Sequence, residues 1–361
     1  MLRRYLRADA LAAAVLLAGA AAPALAQSSV TIYGLMDIGI VREHGAAAGP
    51  ATKISSGMSN GSRLGIKGQE ALGGGWAALF LLESGIQLDD GSIGQGGIVF
   101  GRQAYAGLRS PFGTLTVGRQ YTSHFDTMVM VDPFQAGTVG DAKNLIPSSG
   151  DATTRMSNSL RLASGVWHGL AGEVMYAPGE TAGSDSAGRQ LGGAVSYVVG
   201  PLSLRLGYHH RNNDTPTRQI TSARNVLLGA AYLFGSVKAH LAYGTDKGVN
   251  SAILRNPGNP FGYASAPVAS TDSTVLLVGL SAVYGAHTFM ASYIGKNDKT
   301  TFDQDATQVA IGHRLALSRR TDTYVAVSHI SNRRGAGYTV GHASEGGTAS
   351  QVYSAGVRHI F

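Results

Sequence analysis

Eleven histidines and 29 lysines and arginines are the side chains of this chain best equipped for chemistry. Their spacing gives catalysis little to use. His209 and His210 are adjacent, so on a strand they point to opposite faces and cannot chelate together. With no cysteine and no H-E-x-x-H, neither a thiolate site nor a zinc-protease helix can be built, and no metal is expected. No G-x-S-x-G elbow and no P-loop occurs. The glycine-rich run Gly91 to Gly97 has no helix pattern behind it and reads as a surface loop. His329 and Ser331 share one strand face, a spacing that chance often supplies, and Asn213-Asp214-Thr215 is a chance sequon. No catalytic residue, cofactor or enzyme activity is expected. Arginine is the exception. In Ser62-Arg63-Leu64-Gly65-Ile66-Lys67-Gly68, Leu64 and Ile66 take one face while Arg63 and Lys67 take the other.

That alternation has a period close to two and runs through the chain. It marks segments at 30–40, 62–68, 75–87, 98–109, 114–121, 155–164, 170–177, 191–199, 202–212, 225–234, 237–246, 273–284, 287–296, 306–317, 323–332 and 351–361. About 16 segments of roughly 10 residues, one side greasy and the other wet, are the signature of a transmembrane barrel. Short turn-rich links (71–74, 110–113, 200–201, 235–236, 285–286, 318–320) alternate with long polar ones (45–60, 122–154, 178–189, 213–224, 247–272, 297–305, 333–350). Such a barrel has short turns at one rim and long loops at the other. Tyr121, Tyr176, Tyr197, Tyr232, Phe234, Tyr243, Tyr284, Tyr293, Tyr324 and Phe361 fall near segment ends, where interfacial rings belong. A soluble β-sandwich would also alternate, but so many strands would leave edges unprotected, whereas closure removes edges and satisfies every backbone group in lipid.

Composition agrees. Charged residues are 14% of the chain, against roughly 25% in soluble proteins, and 50 of 361 residues are glycine. After the first residues no apolar run approaches the length of a membrane-spanning helix. Arg3, Arg4 and Arg7, an apolar run from Leu11 to Ala22 and then Ala24-Leu25-Ala26 read as an export signal, so residues 1–26 are expected to be cleaved and 27–361 to form one domain. Losing three Arg and one Asp lowers the formal charge from +7 to +5. The basic residues are spread singly, which is unlike a nucleic-acid interface.

From Gln27 to Phe361 the sequence resembles the Gram-negative general porins, especially those of betaproteobacteria. The residues that carry the resemblance are Ser29-Val30-Thr31-Ile32-Tyr33-Gly34, the Arg63 segment above, Phe100-Gly101-Arg102-Gln103-Ala104-Tyr105-Ala106-Gly107-Leu108, Val117-Gly118-Arg119-Gln120-Tyr121, Asn158-Ser159, Tyr176-Ala177-Pro178-Gly179-Glu180 and Arg358-His359-Ile360-Phe361. The resemblance implies an all-β, 16-stranded antiparallel transmembrane β-barrel in the cell outer membrane, with short periplasmic turns, long extracellular loops and a third loop folded inward. It implies a homotrimer in contact with lipid and lipopolysaccharide that passes small hydrophilic solutes and ions. Phe361 resembles the terminal aromatic by which such proteins are recognised for assembly.

In that family the third loop narrows the barrel to an eyelet opposite a wall of arginines. The matching loop here is 122–154, and Arg63, Arg102 and Arg155 stand at the matching wall positions. Arg119 is assigned to the lumen-facing set with Val117 and Tyr121, and its residues alone leave it open between a solvated wall position and the eyelet. Asp126, Asp132 and Asp141 are the loop's candidate acids, and Asp132 in Asp132-Pro133-Phe134 matches best. At about 5 Å in water each arginine is worth roughly 0.8 kcal/mol to a passing anion, so three give about 2 to 3 kcal/mol before acids and salt subtract. A passive diffusion channel with mild anion preference follows, and a substrate-selective porin is the alternative. A barrel hydrolase and a surface adhesive barrel are the other classes, which single-channel conductance separates.

Overall fold

The computed structural model describes residues 29–146, 154–252 and 254–361. The expected signal segment and the mature start at Gln27 lie outside them. The strands are β1 (Ser29–His44), β2 (Ala51–Ser56), β3 (Arg63–Gly73), β4 (Trp76–Gly85), β5 (Gln103–Ser110), β6 (Gly113–Tyr121), β7 (Arg155–Ser164), β8 (Leu170–Ala177) and β9 (Gln190–Val199). They continue as β10 (Leu202–Arg211), β11 (Ala223–Phe234), β12 (Val237–Ala252), β13 (Ser270–Tyr284), β14 (His287–Asp298), β15 (Ala306–Ala316), β16 (Thr321–Asn332) and β17 (Gln351–Ile360). One helix, α1 (Ser123–Val131), follows β6. No described helix is long and apolar enough to cross a membrane, so any crossing is made by strands.

Every strand pairs antiparallel with its neighbours, and β17 returns to β1 from Leu35↔Ile360 to His44↔Gln351, closing the sheet. Closure leaves no edge to aggregate or to stay unpaired in lipid. β2 pairs with the upper half of β1 and β3 with the lower half, so they are one barrel strand interrupted at 57–62, and the ring has 16 strands. At the seam, Phe361 and Gly34 exchange backbone hydrogen bonds of 3.1 Å. A Cβ on Gly34 would lie 2.3 Å from the Phe361 ring, so the terminal aromatic is seated on a glycine of the first strand.

The sequence places Ala51–Ser56 in a long link, ends β12 too early and begins β13 too late. Both differences have one cause. Past the membrane these strands carry polar residues such as Lys247 and Asp272, which pair in register and lie 3.6 Å apart, so the ladder continues where the apolar alternation stops.

Alternation sends Val30, Ile32, Met36 and Ile40 outward from β1, all exposed, while Leu35, Asp37, Val41 and Glu43 are buried inside. Most of the expected girdle rings are exposed on the outside, among them Tyr176, Tyr197, Tyr232, Phe234, Tyr243, Tyr284 and Tyr293. Tyr324 is not. It is 3% exposed, its hydroxyl donates to Asp37, and it belongs to the interior.

The inner wall is not uniformly wet. Leu227, Val275, Leu277 and Ile294 point inward from β11, β13 and β14 and are buried against Met128 and Val131 of α1. Each such side chain removed from water contributes about 1.5 to 3 kcal/mol, which is what holds the loop inside a hydrated barrel.

Candidate functional site

The chain enters the third loop through a capped helix. Thr122 accepts a hydrogen bond from the Phe125 N–H at 3.2 Å, satisfying one of the donors that the first turn leaves open. The buried side of α1 then runs across wall positions that lack side chains. A Cβ on Gly207 would meet Thr127 Oγ1 at 2.3 Å, and one on Gly229 would meet Val131 Cγ1 at 2.3 Å. Beyond the helix, Gly279 takes Pro133 and Gly312 takes Phe134 in the same way, at 2.4 and 2.7 Å. Four glycines on β10, β11, β13 and β15 thus mark the loop's path along the wall.

Its tip is tied on the other side to the interruption between β2 and β3. The Met58 carbonyl accepts from Thr138 N–H at 2.6 Å and from Ala343 N–H at 3.3 Å, joining the loop to the 333–350 connection. Asp37 fixes the interruption by accepting from Asn60 N–H at 2.7 Å.

Opposite the loop stands the basic wall. Arg63 opens β3, Arg102 precedes β5, Arg119 and Tyr121 end β6, and Arg155 opens β7. Glu83 of β4, which sequence reasoning missed, organises them. It is 3% exposed, accepts from Arg102 Nε at 2.8 Å and from the Tyr33 hydroxyl at 2.8 Å, and lies 3.8 Å from Arg63. Its signal was a lone acid on the inward parity of an otherwise apolar segment. The Tyr121 hydroxyl accepts from Arg102 at 2.7 Å and Arg155 at 3.0 Å, and its ring stacks on Phe125 of α1 at 4.9 Å. Arg119 donates to the Gly101 carbonyl at 2.7 Å and to Ser157 at 2.6 Å. The fold therefore brings all four arginines together.

The expected grouping of Arg119 with Val117 is corrected. Val117 is exposed on the outer face with Leu115, while Thr116 and Gln120 are buried within. A register shift between β6 and β7 after Gly118 breaks the simple parity, and Arg119 and Tyr121 border the interior at the strand's end, where the chain leaves the wall.

The three loop carboxylates part company. Asp126 borders the cavity and pairs with Arg161 of β7 at 3.1 Å. Burial raises its pKa and Arg161 opposes that shift. Asp132 does not border it. Its carboxylate accepts from the N–H groups of Phe134, Ala136 and Ala142 at 2.9, 2.9 and 3.0 Å, so it shapes the loop's own turn. Burial and the neighbouring Asp141 push it up to about 7 against the pull of those donors. Asp141 is also enclosed, 3.2 Å from Lys143 and 3.3 Å from Arg255.

Those two cations are the second thing the sequence did not reveal. Lys143 lies in the loop and Arg255 in the connection after β12, where no strand pattern announces a role. Arg255 is held by Asn144, the His342 carbonyl and the Glu345 carbonyl at 2.6, 2.6 and 2.7 Å. Burial pulls Lys143 down to about 8 despite Asp141. The cavity between loop and wall has a volume of 880 Å³ and is bordered by six cations (Arg63, Arg102, Arg119, Arg155, Lys143 and Arg255) and two carboxylates (Asp126 and Glu345). The transverse field expected from basic wall and acidic loop is thus reduced, because the loop side is itself partly basic.

His209 is buried inside β10 while His210 faces outward and is partly exposed, as adjacent strand residues must be. His329 and Ser331 meet at 3.2 Å on the exposed side of β16, with no hydrogen bond from His329 to a carboxylate among the described residues.

Comparison with known proteins gives a match to the model of the Gram-negative porin family over residues 10–335. An outer membrane porin protein of Bordetella pertussis is 32% identical, covering 89% of this chain and 94% of the relative. Outer membrane porin protein 32 of Delftia acidovorans is 30% identical over 97% and 99%. Among solved structures, an anion-selective porin from Comamonas acidovorans superimposes with a TM-score of 0.76 at 27% identity, covering 93% of this chain and all of that one.

Proposed function

The chain belongs to the Gram-negative porin family, and on that premise we propose that its eyelet is lined by Arg63, Arg102, Arg119 and Arg155 and gives a mild preference for anions. The protein is a multi-pass outer-membrane β-barrel that forms a channel for passive diffusion of ions and small hydrophilic solutes. Its relatives are porins, and we assign it conduction with no catalytic step.

The observation that carries the anion preference is six cations bordering the cavity against two bordering carboxylates, an excess that remains when Glu83 and Asp141, paired behind four of those cations, are counted. On the loop side, Asp126 is the carboxylate we assign to the eyelet, while Asp132 and Asp141 are assigned to holding the loop's shape. The solved relative described as anion-selective supports the same sign. In a planar bilayer with a potassium chloride gradient, the reversal potential should take the sign set by chloride. A cation-signed potential overturns the reading.

We further propose a homotrimer, tested by the mass of the unheated detergent complex. Arg42 and Arg224, both exposed near the loop-side ends of β1 and β11, support contact with lipopolysaccharide phosphates. Phe361 is proposed as the assembly signal, and its deletion should lower the yield of folded barrel in the outer membrane. Cleavage after Ala26 is tested by the intact mass of the mature protein.

A further inference from the structure

Below the tip of the third loop lies a second, smaller cavity of 130 Å³, bordered by Asn60 and Gln135, which also border the eyelet cavity. The two spaces therefore adjoin across these two amides, one on each side of the narrowing. Ser59, Thr138 of the loop, Ser281 and Thr288 near the short-turn ends of β13 and β14, Arg314 of β15 and Tyr324 of β16 complete its polar lining. That volume holds several waters, or a small anion with part of its hydration shell.

Donors dominate this space. Arg314 is half-buried and makes no hydrogen bond or ion pair with any described residue. The side-chain nitrogens of Asn60 and Gln135 donate to no described protein atom, and the Asn60 carbonyl is already taken by Arg358. No carboxylate borders the cavity. The charges that act on Arg314 are Arg358 and Asp322; Asp322 gives Oδ2 to Arg358 Nε at 3.0 Å and leaves Oδ1 buried without a hydrogen-bond partner among the described residues. Asp37, beyond Tyr324, is occupied by the Tyr324 hydroxyl and the Asn60 N–H. A half-buried guanidinium that makes no ion pair of its own, is repelled by Arg358, shares Asp322 with it and has neutral donors around it is short of an anion.

The geometry points to a second anion subsite at Arg314, on the short-turn side of the constriction, taking a halide or a small carboxylate or phosphate as it leaves the eyelet. This rests on the reading of the barrel as an anion-preferring channel, and it adds a station that the arginine wall does not supply. An ion released from the Arg102 region would otherwise face the loop tip; with Arg314 below, it moves between two donor sets that share Asn60 and Gln135.

The test uses the full barrel. Crystals soaked in bromide should show an anomalous peak in this cavity beside Arg314, and the peak should vanish in Arg314→Gln. In bilayers, R314Q should lower chloride conductance about two- to fourfold at about 50 mM salt and converge with the parent at high salt, where screening removes the advantage. R314K should recover most of the loss. No bromide peak in the parent protein overturns the subsite even if the variants fail to fold, and so does an R314Q conductance curve superimposable on the parent's. Arg102→Gln is the control. If it shifts the reversal potential while R314Q changes nothing, the subsite fails and the eyelet stands; if the parent shows no anion preference, the reading beneath both fails.

Discussion

On β10 to β15 the inner wall presents glycine and aliphatic residues to the inserted loop, whereas on β3 to β7 it presents arginines to water. Both regions use inward positions of the same alternating strands. On one side a Cβ at Gly229 or Gly279 would overlap a loop side chain, and Leu227, Leu277 and Ile294 are buried beneath it. On the other, Glu83 and Tyr121 hold guanidinium groups apart at fixed positions around an open space. In the function proposed above, the first region sets where the passage is narrow and the second sets which ions favour it. Separating the tasks lets packing be apolar and tight without removing charge from the passage.

That separation can be broken from either side. The largest effect should come from Gly229→Leu, since a full side chain where Val131 sits should cost about 1 to 3 kcal/mol of overpacking. Hydrogen exchange across 123–131 should rise by about one to two powers of ten, with open-channel current noisier and reversal potential nearly unchanged. A large shift in selectivity would show that seating and selection are coupled.

Arg102→Glu attacks the other side. It reverses two units of charge and sets a second carboxylate beside Glu83, worth about 1.6 kcal/mol at 5 Å in water. The anion-to-cation permeability ratio should fall about tenfold in a salt-gradient measurement. An unmoved reversal potential would remove Arg102 from the eyelet.

The smallest effect sharpens the comparison, because Lys143 belongs to the loop yet adds to the charge. Its ammonium is held down to about 8 by burial, so raising the pH from 7 to 9 removes a positive charge from the cavity. Anion preference should decline by up to about fourfold across that window. In Lys143→Gln the decline should be absent, and a parent channel whose selectivity is flat from pH 7 to 9 would put Lys143 outside the ion path.

How far the sequence reaches differs between these regions for physical reasons. Alternation is a local property, because side-chain direction on a strand has a period of two. Leu64 and Ile66 against Arg63 could be read directly, and the strand count followed. The same rule fails on β11, where Val226 and Leu228 face outward and Leu227 inward, because the loop makes an apolar environment inside the barrel. It fails again at Arg119, where a register shift ends the parity. Asp132 carried the strongest family match among the loop acids, yet three backbone donors within its own turn claim it.

Arg102 and Arg155 were placed on the wall by the family resemblance, whereas the sequence alone determined that the chain is a ring of strands with water on one side and lipid on the other, with Arg63 on the wet face. Composition and two-residue periodicity suffice for that, since both act within a single strand. Only the tertiary structure decided that Lys143 and Arg255 join them, that Glu83 orders them and that Asp132 does not oppose them. Those side chains come from three separate stretches of the chain, and whether a charge meets the passage or a backbone N–H depends on where the loop comes to rest.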